Sequence, residues 1–240
     1  MAAPGSPSAP SGTKATPAQT LVAQLEASFK EQVKRALGVE LPDEGSALAY
    51  VDHHLSELRG EDREPIITLV AAGAGAWFGE FVRKQIGGHW IGDGEDPRRL
   101  RLLMEPVFLH FSPVDLSYEA IFTGDLEDRD PRGPGGAVID GAFQLDGAPN
   151  PTGPNNEEAA DDATPDSDSP RPHDPTSDRD WIAARLSELS PVPKEQYFSL
   201  TGRFEALQLI LEMLAHRRVA DGKSPRMWSV DDYVAALAKG

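Results

Sequence analysis

Apolar and polar positions along the chain fall into two helical blocks, separated by a stretch without an apolar cluster. The first block opens at Thr16-Pro17-Ala18-Gln19. Thr16 can cap a helix, Pro17 suits its first position, and Gln19 can close a capping box. Leu21, Val22, Leu25, Phe29, Val33, Ala36 and Leu37 follow at helical spacing, and Gly38 supplies the stop. A second helix is predicted over Asp43 to Arg59, with Leu48, Val51, Leu55 and Leu58 turned inward. A third runs from about Asp62 to Ile86, tolerating Pro65 in its first turn and ending at Gly87-Gly88.

Short strands are expected next, at His89-Trp90-Ile91, Leu100 to Met104 and Val107 to Phe111. Pro113 to Phe122 reads as a helix turn or a further strand. Eight of the seventeen aromatic residues lie within 77–122, which places the centre of the core there, because aromatics bury the most area per side chain. Order is expected again at Trp181. A short helix carries Trp181, Ile182, Leu186 and Leu189 and stops at Ser190-Pro191. A longer one presents Phe204, Leu207, Leu211 and Leu214. The last starts at Ser229, with Asp232 three residues on, and presents Tyr233, Val234 and Leu237.

Composition changes this picture in the middle. Residues 124–180 hold 15 acidic and four basic side chains and nine of the 21 prolines, so they supply −11 of the net charge of −16. Such a segment cannot bury enough apolar surface to order itself, and Pro149 to Asp180 is expected to be disordered. One island, Ala137-Val138-Ile139-Asp140-Gly141-Ala142-Phe143, predicts either a hairpin about Asp140-Gly141 or a short sticky motif docking on the core. The sequence therefore divides into a disordered tail (1–16), an N-terminal α+β part (17–123), an acidic Pro/Gly-rich linker (124–178) and C-terminal helices (179–240) that pack on the second part. The fold class is α+β: mainly helical, with a small antiparallel sheet and a long acidic disordered insertion.

Charge and cysteine content narrow the function. Nucleic acid is repelled by a net charge of −16, and the basic runs, Arg98-Arg99-Leu100-Arg101 and Arg217-Arg218, are short. The absence of cysteine removes disulfides, thiolate metal sites and cysteine nucleophiles, and fits a reducing, cytoplasmic setting. Met1 to Pro17 lacks the apolar run of a secretory signal. The uncharged run Ile66 to Gly79 is 14 residues long, against the roughly 20 that a membrane span needs, and predicts a buried core helix.

Three groups of residues invite chemistry. Gly73-Ala74-Gly75-Ala76-Trp77-Phe78-Gly79, with Asp93 twenty residues beyond Gly73, suggests a dinucleotide-binding turn. Its glycine spacing is one residue too long, however, and bulky Trp77 and Phe78 stand where a helix should begin. As a helix, the same stretch lines up Ala71, Gly75 and Gly79 as a row of small residues for close packing. His53, His54 and Glu57 could gather a metal, as could Glu212 with His216, but either set is short of ligands. Glu80 is the one carboxylate expected to be partly buried, paired with Arg83 or Lys84.

The run Trp77-Phe78-Gly79-Glu80-Phe81-Val82, followed by Gly87-Gly88-His89-Trp90-Ile91, resembles the helix-to-strand core of some uncharacterised bacterial domains. The resemblance spans residues 66–122 and implies an α+β fold without implying an activity. With no catalytic, cofactor-binding or metal-binding residue assigned, the sequence is read as that of a cytoplasmic, non-catalytic interaction or regulatory protein. Its expected partner is another protein, held or inhibited, and neither nucleic acid nor membrane. The alternative is a ligand-binding protein or small enzyme using Gly73–Gly79 or the His53/His54 pair.

Overall fold

A computed structural model describes residues 15–126, 130–134, 138–145 and 177–237. The expected disordered segments therefore lie mostly outside the described residues. The fold is mainly helical α+β with a three-stranded antiparallel sheet. Helix α1 (Pro17–Leu37) starts at the capping box, with Thr16 and Gln19 bonded reciprocally, and stops at Gly38 in the left-handed conformation. Its buried stripe is Ala18, Val22, Phe29 and Val33. Helix α2 (Ser46–Ser56) is shorter than the spacing predicts, beginning after Asp43 and passing into a 3₁₀ turn at Glu57–Gly60.

Helix α3 (Glu64–Ile86) is one continuous rod with 13 buried residues. It is the one helix among the described residues long and apolar enough to cross a membrane, but burial within the protein already accounts for that apolarity. Its glycines explain how it is enclosed. A Cβ on Gly73 would fall 2.9 Å from Phe29 Cβ of α1. One on Gly75 would fall 2.6 Å from the Val114 Cα, and one on Gly79 would run into the Trp90 ring. The glycine row thus lets α1, the helix α4 (Pro113–Phe122) and Trp90 approach the α3 backbone. Residues 66–70 are helical rather than extended and the sheet is antiparallel, so the dinucleotide-binding geometry is not formed.

The sheet consists of β1 (Gly88–Ile91), β2 (Arg101–Met104) and β3 (His110–Phe111), in that order. β3 is shorter than the expected Val107–Phe111 because residues 105–108 form the turn, closed by Met104 N–H to the Leu109 carbonyl at 2.9 Å. The register sets Trp90 opposite Leu102 and Leu102 opposite Phe111. Alternation then sends Leu102 and Met104 toward the helices and Leu103 to the other face. That outer face is covered by Trp228, Tyr233 and Ala236, from the segment leading into and along α8 (Val230–Leu237). Val234, expected to face inward, is 62% exposed, while Ala236 takes the inward position. The Leu237 side chain lies outside the described residues.

The C-terminal helices pack on the N-terminal part. Helices α5 (Asp178–Ser187), α6 (Lys194–Phe198) and α7 (Leu200–Ala220) follow the insertion; α6 had no counterpart in the sequence reading. Ile182, Leu200, Leu207, Ile210 and Leu214 join the same core as α1 to α4, with Phe204 edge-on to Phe81 at 5.1 Å between ring centroids.

Candidate functional site

The residues singled out in the sequence do not converge on one site. Gly73, Gly75 and Gly79 are occupied by packing. Asp93 organises its own loop, accepting the Glu95 and Asp96 amides at 2.9 and 3.1 Å and pairing with Arg99 at 3.0 Å. These hydrogen bonds, the two amides first, hold its carboxyl below the usual range.

His53 and His54 part company on α2. His53 is exposed, whereas His54 is turned in against Phe29, with ring centroids 6.0 Å apart, and is not the solvent-facing residue that a helix edge suggests. Burial lowers the His54 pKa, with Glu57 at 3.8 Å opposing. Glu212 and His216 are exposed on α7. Among the described residues no group of three His, Cys, Asp or Glu is placed to hold a metal.

Glu80 is paired as expected. Arg83 grips it through both oxygens at 2.8 Å, and the Trp90 indole N–H donates to it at 3.1 Å. Burial alone would raise its pKa, but the Arg83 and Trp90 hydrogen bonds win and hold it low.

Glu80 is not the one buried carboxylate, however. Asp115 and Glu119 sit one turn apart on α4, and Asp115 is buried outright. Both pKa values are raised by burial, with Arg98 then Arg101 opposing at Asp115, and Arg203 opposing at Glu119. The sequence reading missed them because 113–122 also read as a strand. The available signal was two acids four residues apart in an otherwise apolar segment, which only a helix places side by side.

Each of the two carboxylates divides its oxygens between the body of the protein and the insertion. Asp115 Oδ1 faces Arg98 Nη2 at 3.5 Å, and its Oδ2 faces the Asp140 amide at 3.5 Å. Glu119 Oε2 is bound by Arg203, and its Oε1 accepts the Gly141 amide at 3.2 Å. Arg203 is itself buried and lies against two adjoining rings, 4.5 Å from the Tyr197 centroid and 5.1 Å from that of Phe198. Two successive amides of the acidic insertion are therefore read by two acids of one helix face.

The rest of this insertion segment is bound as well, and it turns at Asp140, whose carboxylate accepts the Ala142 amide and the Gln144 side chain. The Val138 carbonyl accepts from Arg98 at 3.0 Å. Gln144 forms a two-bond antiparallel bridge with His110, at 3.0 and 2.8 Å, which ties this one residue to the edge of β3. Phe143 stands edge-on to Phe111 at 5.2 Å, and Leu145 is buried. The expected hairpin about Asp140-Gly141 is not formed. A hairpin pairs a segment with itself, and here the hydrogen-bonding groups are claimed by Arg98, Asp115, Glu119 and His110. The docking-motif alternative is the geometry found. Chemically, the arrangement captures a turned backbone segment against the α4 acids, with one residue pair bridged to the sheet edge. Comparison of the chain with protein-family models, with curated proteins and with solved structures returned no match.

Proposed function

We propose that the chain is a non-catalytic interaction protein of the cytoplasm, a regulator that holds or inhibits another protein. The observation carrying this reading is the seat along α4 and β3, where carboxylates, an arginine and a strand edge together grip the backbone of residues 138–145. Capture of a segment through its main chain is a recurring means of binding proteins, with main-chain bonds giving affinity and side chains giving selectivity. The acidic composition supports a protein partner over nucleic acid, and the cysteine-free chain suits a reducing compartment. The alternative, a ligand-binding protein or enzyme using Gly73–Gly79 or His53/His54, draws no support from positions filled by packing or, among the described residues, without a third metal ligand.

The test is capture of the tagged chain from its own cells at ordinary salt. A protein retained in constant stoichiometry is expected. Recovery of the chain always alone would overturn the reading, and a stoichiometric metal or several degrees of stabilisation by a dinucleotide would favour the alternative.

A further inference from the structure

Resting on that reading, we propose that the strap between α5 and α7 is the surface that meets the partner, and that the partner offers an aromatic-lined groove for a polyproline-II ridge. Every residue from Ser187 to Tyr197 is exposed. Leu189, Val192 and Tyr197 are among them, each with about half of its surface in water. Exposed apolar residues scattered singly need no explanation, but here the backbone that carries them is left open as well. Among the described residues no hydrogen bond uses the main-chain groups of Ser190, Pro191 or Val192.

Two prolines set the shape of the strap. Each fixes its own φ near about −65° and disfavours the helical region for the residue before it, so Ser190 to Pro193 are all kept extended. Pro193 has φ −54° and ψ 145°, and residues 190–193 form no helix, strand or turn. A polyproline-II chain turns once in three residues, which spaces Leu189 and Val192 one turn apart, about 9 Å along the strap. Both ends are fixed. On the α5 side Ile182 enters the core, and Arg217 lies 5.1 Å from the Trp181 ring centroid and pairs with Asp178 at 2.9 Å. On the α7 side Lys194 pairs with Asp125, Phe198 fills the space beside Gly124, and Tyr197 rests on Arg203. A strap ordered before it meets a partner avoids the entropy cost that a loose segment incurs on binding.

These features select the occupant. A proline-stiffened ridge with open carbonyls fits a groove whose aromatic walls flank the prolines and whose N–H and O–H groups reach the carbonyls. A sheet edge fits poorly, because neither Pro191 nor Pro193 has an amide to donate. Charge orients the groove. Glu195, exposed in the first turn of α6, makes no ion pair among the described residues, so the rim at that end carries a cation.

The experiment captures protein from the chain's own cells on the tagged full chain, with a synthetic peptide of residues 187–197 as competitor. That peptide should displace the retained protein, and the same peptide with Pro191→Ala/Pro193→Ala should be at least about tenfold less potent. The full chain carrying Leu189→Ser/Val192→Ser should melt with the parent and hold the protein at least about tenfold more weakly. If it melts lower, the peptide competition alone decides. Glu195→Lys should weaken the hold as well, and most in dilute salt. Equal potency of the two peptides, failure of both to displace, or an undiminished hold by the doubly substituted chain would overturn the strap and leave the functional reading standing. Retention of an untagged copy of the chain in place of another protein would overturn the stated partner. Recovery of the chain always alone would overturn the functional reading and the strap with it.

Discussion

Asp52, on α2, closes the amino end of α7 from 148 residues away in sequence. Its carboxylate accepts the Leu200 amide at 2.7 Å, the Thr201 amide at 3.1 Å and the Thr201 hydroxyl at 2.5 Å. Ser199 caps the same helix locally by accepting from Gly202 at 2.9 Å. The first amides of a helix lack intrahelical partners and carry its positive end, so an anion from another element suits them. The acidic insertion is therefore spanned by a contact between the two ordered parts, which ties them into one unit.

Asp52→Ala should accordingly lower stability by about 2 kcal/mol, the range of a lost cap and of charged hydrogen bonds. Asp52→Asn, which keeps an acceptor oxygen, should cost less. Urea denaturation checks both, and the unsubstituted chain should unfold in a single transition. Separate transitions for the two parts would contradict the coupling.

The glycine row of α3 gives a test whose sign is decisive. On helix propensity alone, Gly75→Ala should stabilise by up to about 1 kcal/mol. Here the new Cβ would meet the backbone of Val114 and Pro113 at 2.6 to 2.8 Å, and backbone cannot swing aside. Overpacking should dominate and cost about 1–3 kcal/mol. Gly60→Ala, which meets nothing within 4 Å, should stay within about 0.5 kcal/mol of the parent in the same melts.

Helices α1 and α3 were legible because their signals are local: a capping box, a 3.6-residue stripe, and glycines at the ends. The face of α4 was not. Pro113 to Phe122 is buried almost all round, so it lacks the amphipathic period that separates helix from strand. The island at 138–145 posed the same difficulty in another form. Asp-Gly is a hairpin signal, but the partners that override it are Arg98, Glu119 and His110, remote in sequence. The buried acids were hidden for the same reason, since Arg98 and Arg203 become their neighbours only through the tertiary fold.

Glu80 and Asp115 should respond oppositely to pH. The Glu80 pKa is lowered on folding, so its contribution is present above the unfolded value and lost as pH falls through the folded one. Glu80→Gln should therefore melt below the parent at pH 7 and approach it as pH falls below about 4. The Asp115 pKa is raised, so the folded state binds the extra proton and stability falls as pH rises through the raised value. The melting temperature of Asp115→Asn relative to the parent should rise as the pH is raised upward from about 4. A difference constant across that range would refute the assignment.

Tyr233 tests how α8 is held on the sheet. Its hydroxyl accepts the Leu109 amide at 2.9 Å and lies 2.8 to 3.0 Å from the Met104, Val107 and Leu109 carbonyls, among which its single proton is donated. Its ring stacks on Phe108 with centroids 4.3 Å apart. Tyr233→Phe keeps the stacking but leaves the buried Leu109 amide without that acceptor, so it should cost about 1–3 kcal/mol. Exchange of the Leu109 amide should accelerate in that variant, while Val234→Ser, one residue on and exposed, should change neither quantity. Equal stability and unchanged exchange in Tyr233→Phe would mean that ring packing alone seats the helix, and that the turn between β2 and β3 holds its shape without the hydroxyl.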